Sequence, residues 1–207
     1  MKENSITSPS QVVFDGLQPT DSSYNLKDLV PKGINMLNKL VEIFIRWQVF
    51  PEAFHCDIQK IYSVIRLSEE YWWCQRYLFQ KDLDSKVPPE EKIIKTMIYD
   101  IRSSGNQAQC ALRKVAEIFK DKYSDVHQII LKLMYMNDCM VGDKDKEELN
   151  KRQDDLQMVL GCGGFNLKGF TVSGKDPDEL LTSHGVSVSV AGQRWFSSGR
   201  SHIVGYE

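Results

Sequence analysis

Apolar positions fall on helical spacing in three stretches of the chain. Between Gly33 and Gln48, Leu37, Leu40, Val41, Phe44 and Ile45 recur at three and four residues, which predicts one amphipathic helix ended by Pro51. Between Gln107 and Lys120, Ala108, Ala111, Leu112, Val115 and Phe119 form an inward face. Asp145 with Glu148 has the spacing of a capping box and opens a third helix. Its face is Leu149, Leu156, Val159 and Leu160, and Gly161 is expected to stop it.

Other stretches carry a strand-like pattern. Gln11 to Phe14 is a short β-prone run closed by Asp15-Gly16, and Ala53 to Ile58 predicts a buried strand. Glu69 to Tyr77 is expected to be helical, and Arg76 to Gln80 to turn into a strand; Pro88-Pro89 marks a break. Ile93 to Tyr99 fits helix and strand alike. Ile129 to Val141 is apolar except at Asn137-Asp138, which predicts two strands joined by a tight turn with the polar pair at its tip. Phe165 to Val172 and Val186 to Phe196 alternate as strands do. Helices mixed with hairpins, without strict βαβ alternation, indicate an α+β fold.

Composition narrows the function classes. The 207 residues are 42% hydrophobic, enough for a core, and the formal net charge of -2 gives no support to nucleic-acid binding by bulk charge alone. The five cysteines, Cys56, Cys74, Cys110, Cys139 and Cys162, lack zinc-site spacing, so reduced thiols are expected. Met1 to Ser10 is polar, unlike a secretory signal, and no apolar run approaches the ~20 residues of a membrane span. The expectation is a soluble, cytoplasmic or nuclear protein, not secreted, with no membrane partner and a disordered segment over residues 1–10.

Two carboxylates stand inside apolar strand-like runs. Asp57 follows Ala53-Phe-His-Cys56, and Asp138 follows Leu133-Met-Tyr-Met-Asn137. Burying a carboxylate costs free energy unless a cation meets it. Two brought together on neighbouring strands would suit Mg²⁺, which prefers oxygen ligands. The alternative is that each is a solvated turn residue.

The surrounding words resemble the reverse transcriptases of Bel/Pao-type LTR retrotransposons. Gln11-Val-Val-Phe-Asp15 is similar to that family's fingers strand, and Asp57-Ile-Gln-Lys-Ile-Tyr62 to its first catalytic motif, D-x-x-K-x-[YF]. Ser103-Ser-Gly-Asn-Gln-Ala-Gln109, followed by Ala111-Leu-Arg-Lys114, resembles the motif that holds template and incoming nucleotide. Tyr135-Met-Asn-Asp138 stands where the family has Y-[VM]-D-D; Gly163-Gly-Phe-Asn-Leu-Lys168 resembles G-G-F-x-L-[KR]; Ala191-Gly-Gln-Arg-Trp195 resembles the strand before the thumb. The six stretches occur in the family's order.

The resemblance implies a polymerase-palm-like antiparallel sheet with helices packed on one face. It implies partial fingers over 11–52 and a palm core over 53–200, with thumb, RNase H and integrase absent and the remainder of a polyprotein expected. It implies RNA-directed DNA polymerase activity with two Mg²⁺ ions, a dNTP, and RNA or an RNA–DNA hybrid as partners. Residue by residue, Asp57, Asn137 and Asp138 would be catalytic; Asp57, Asp138 and the Ile58 carbonyl would ligate metal. Tyr62, Gln11 and Lys168 would meet the nucleotide, and Gln107 and Gln109 the template.

Three departures point to impaired catalysis. Asn137 replaces a shared carboxylate, Gln11 an arginine, and Asp100 stands near a position the family often gives to glycine. Nucleotidyl transfer rests on positioning and charge neutralisation, so losing one shared carboxylate is expected to cost several orders of magnitude, at tenfold per ~1.4 kcal/mol. Two further outcomes stay open: a palm that holds nucleic acid without chemistry, and a relic of a transposon without molecular function.

Overall fold

The computed structural model describes residues 23–81, 87–99 and 101–173, and the backbone of three later strands. The described residues fall into two compact units, one of 36–59 with 109 onward, the other of 23–35 with 60–108. The expected fingers strand at 11–14, the polar segment 1–10, Gln11 and Asp100 lie outside the described residues.

The first unit is built on a four-stranded antiparallel sheet. Its strands are β1 (Glu52–Ile58), β4 (Met134–Tyr135), β5 (Asp138–Asp143) and β6 (Leu167–Val172), in the order β4-β5-β1-β6. The fold is therefore α+β. Ala53, Phe54, His55, Cys56 and Ile58 are all buried, as a central strand with both faces covered requires. A bulge between His55 and Asp57 breaks the β1–β6 register. Gly169 stands in that stretch of β6 at φ +65°, a conformation glycine adopts without steric cost.

Helix α2 (Leu40–Gln48) is shorter than the sequence pattern predicts, and it buries a different face. Residues 33–39 are not helical. The Asn38 side chain donates to the Met134 carbonyl at 2.9 Å, and Arg113 donates to the Met36 carbonyl at 3.0 Å. These tertiary bonds engage the chain where the first helical turns were expected. Ile43 and Trp47 are buried with Ala53 and Met140, and Leu40, Phe44 and Tyr135 pack around them; Val41 and Ile45 are 68% and 58% exposed. Both stripes have helical spacing, and burying the indole of Trp47 removes the larger apolar area from water.

The region before the turn also differs. In place of a long strand from Ile129, helix α5 (Ser124–Lys132) precedes the two-residue β4. Val126, Ile129 and Ile130 are its buried face, at helical spacing. Helix α6 (Lys146–Cys162) packs across β1, β5 and β6 and buries Leu149, Leu156, Val159 and Leu160, as its pattern predicts. Asp145 caps it by accepting from the Glu147 and Glu148 amides. Gly161 does not stop it. The chain turns at Gly163 and at Gly164, φ +80°, with the Phe165 amide bonded back to the Leu160 carbonyl at 2.9 Å. A Cβ on Gly163 would lie 2.6 Å from a Val115 methyl.

The second unit holds α1 (Leu26–Leu29), α3 (Ile61–Val64), a 3₁₀ helix over Glu69–Gln75, and the antiparallel ribbon of β2 (Arg76–Phe79) and β3 (Glu90–Ile93). The expected helix at 69–77 is thus a 3₁₀ turn running into the expected strand. In helix α4 (Ser104–Phe119), Ala108, Leu112 and Ala116 are the buried apolar positions. β7 (Ser189–Val190), β8 (Gln193–Ser197) and β9 (His202–Tyr206) form a separate three-stranded antiparallel sheet; the Trp195 side chain lies outside the described residues. Among the described residues no helix is long and apolar enough to cross a membrane.

A paired-carboxylate candidate site

Strand alternation puts Ala53, His55 and Asp57 of β1 on one face, and Asp138, Met140 and Gly142 of β5 on the same one. Asp57 is the direct register partner of Asp138. The Ile58 amide donates to the Asn137 carbonyl at 2.8 Å, which makes Asp57–Asp138 a non-hydrogen-bonded pair. Pairs of that kind stand about 4.5 Å apart at Cα, the closer of the two antiparallel spacings. The two carboxylates predicted to meet are therefore neighbours across two strands. Ile58 is buried beside them.

The turn that delivers Asp138 is a two-residue hairpin. Tyr135 pairs with Asp138, and Met136 takes φ +56°, a left-handed conformation uncommon for a residue with a side chain. Gln109 of α4 holds that conformation by donating to the Met136 carbonyl at 3.0 Å. Gln109, expected to meet the template, is 4% exposed, and its NH₂ group is bonded to the turn.

Each carboxylate already has partners within the chain. The Asn137 amide donates to Asp57 Oδ1, and Lys168 Nζ lies 3.3 Å from Asp57 Oδ2. Lys168 is the register partner of Asp57 on β6, so the expected nucleotide-binding lysine is an ion-pair partner of the aspartate. His55 Nε2 lies 3.0 Å from Asp138 Oδ1. His55 Nδ1 is buried without a hydrogen-bond partner, which favours the tautomer with its hydrogen on Nε2, donating to the carboxylate. Burial pushes the Asp57 carboxyl above its ordinary pKa; the Asn137 hydrogen bond and then Lys168 oppose that, and Asp138 adds to it.

Sequence reasoning missed His55. The signal was present in period two: a residue two before Asp57 in a strand shares its face. Tyr62 and Gln107 belong to the second unit. Tyr62 stacks edge-on against Tyr99 with ring centroids 4.7 Å apart, and burial raises its phenol. Gln107 is exposed and donates to Ser103 Oγ at 3.0 Å.

No protein-family model and no curated protein matches the chain significantly. Two Mg²⁺ ions need several anionic oxygens free to face them. Both oxygens of Asp57 and one of Asp138 accept from protein donors instead. Among the described residues no group of three or more His, Cys, Asp or Glu side chains is placed to hold a metal ion. The neutral amide of Asn137 points its NH₂ group, not its oxygen, at Asp57. The residues present do not fit the metal pair that the resemblance implies.

Proposed function

We propose that the sheet-bearing unit is a reverse-transcriptase-like palm that has lost nucleotidyl transfer and retains at most the holding of RNA or an RNA–DNA hybrid. The observation that carries this reading is the Asp57–Asp138 register pair at a strained hairpin turn, with Asn137 and Lys168 engaging both oxygens of Asp57. The motif order supports the palm ancestry. The internal pairing supports the loss of chemistry: a carboxylate neutralised by a lysine and an amide has little charge left to gather a dication.

Primer extension tests it. The full chain, given a primed RNA template, dNTPs and Mg²⁺, is expected to add no nucleotide. Mg²⁺-dependent extension that disappears in Asp57→Ala would overturn the reading.

A further inference from the structure

The first unit holds a cavity of about 410 Å³ between α2, α5, the far end of β5 and α6. That volume lies within the range of small-molecule pockets. Trp47, Phe50, Ile129 and Met140 make much of its wall apolar. A Cβ on Gly142 would lie 2.7 Å from the Phe50 ring, so the glycine leaves room for that ring in the wall. Gly142 stands four residues along β5 from Asp138, about 13 Å at the rise of a strand, which sets the cavity apart from the carboxylate pair.

Hydrogen-bond donors in this wall lack acceptors. Arg152 pairs its two terminal nitrogens with Asp143 at 2.9 Å and Asp125 at 3.6 Å, and its Nε is buried without a hydrogen-bond partner. Asp57–Asp138 is a non-hydrogen-bonded pair; by alternation Ala53–Gly142 is another, and the Gly142 amide turns away from β1. On that side β4 pairs only with Asp138 and Cys139, and among the described residues no backbone carbonyl accepts from the Gly142 amide. Lys132, exposed in the last turn of α5, has no ion-pair partner among the described residues, whereas Arg46 is held by Glu42 at 3.2 Å. A buried donor without an acceptor bears its full desolvation cost. Donors of this kind around one apolar space call for acceptor oxygens on a ligand.

We infer that the cavity binds a small arylalkyl carboxylate. The ring packs against Trp47, Phe50 and Met140, and the carboxylate accepts from the Gly142 amide, Arg152 Nε and Lys132. Asp125, the one acid in the wall, opposes an anion, and its ion pair with Arg152 offsets that opposition. One cation free of pairing matches a monoanion better than a polyphosphate. The inference does not rest on the palm reading.

Titrating the full chain with 3-phenylpropanoate, followed by the methyl resonance of Met140 and the indole N–H resonance of Trp47, tests it. Saturable shifts of both are expected, with the amides of residues 57 and 138 unmoved. 3-Phenylpropan-1-ol, the same body without the charge, should bind at least about tenfold more weakly, as loss of a charge-assisted hydrogen bond requires. Lys132→Gln, at an exposed position, should weaken the acid about two- to fivefold and leave the alcohol unchanged. Absence of saturable shifts at Met140 and Trp47, or shifts centred on residues 57 and 138 instead, overturns the inference. So does an affinity for the alcohol equal to that for the acid, or an acid affinity that Lys132→Gln leaves intact.

Discussion

Asp57 carries the main electrostatic tension of the site. Its carboxyl is raised above the ordinary value of 3.8, so the folded chain binds that proton more tightly than the unfolded chain does. Stability should then fall as pH rises through the interval above 3.8. Asp57→Asn removes this dependence. Denaturation midpoints of the variant are expected to gain on those of the parent as pH rises above 3.8; a constant or shrinking gap would contradict the assignment. Asn137→Asp acts in the opposite sense. It replaces a donor to Asp57 by a third carboxylate beside Asp57 and Asp138, and should cost roughly 1–3 kcal/mol without divalent cations. Added Mn²⁺ should recover stability by selective binding to the folded state, readable as a rise in Tm absent in the parent. At this scale the sequence named Asp57, Asn137 and Asp138 but not their partners. Lys168 and His55 reach them only through strand register and alternation, which pattern reading does not supply until the strands are paired.

The elements were legible where one pattern dominated. β1 and α6 lie where the sequence places them because burial and capping agree there. α2 and the stretch before β4 were misread because two apolar patterns coexist and tertiary packing chooses between them. The choice is testable: Ile43→Ala should cost about 2–5 kcal/mol, whereas Val41→Ala should stay within about 0.5 kcal/mol, by urea denaturation. The end of α6 offers a second contrast. Gly161 lies inside the helix with open space around its Cβ position, so Gly161→Ala should stabilise by about 0.5–1 kcal/mol. Gly164 sits at φ +80°, so Gly164→Ala should destabilise by about 1–2 kcal/mol although its Cβ would also meet nothing. Equal effects at the two glycines would place the end of the helix wrongly.

For the molecule as a whole, the sequence showed a mixed fold and an ordered series of motifs. It did not show that residues 36–59 and 109 onward form one unit while 60–108 belong largely to another, because that division depends on contacts far apart in the chain. The two units should differ in local stability. Amides of β1, central in a four-stranded sheet, should exchange with solvent far more slowly than those of the two-stranded β2–β3 ribbon. In the sheet, protein donors rather than divalent cations are proposed to satisfy the Asp57–Asp138 pair. Mn²⁺-induced broadening of backbone amide resonances, in the parent and in Asn137→Asp, tests it most directly. The account predicts no selective broadening at residues 57 and 138 in the parent, and broadening centred on both in the variant. Selective broadening there in the parent at comparable Mn²⁺ would contradict it.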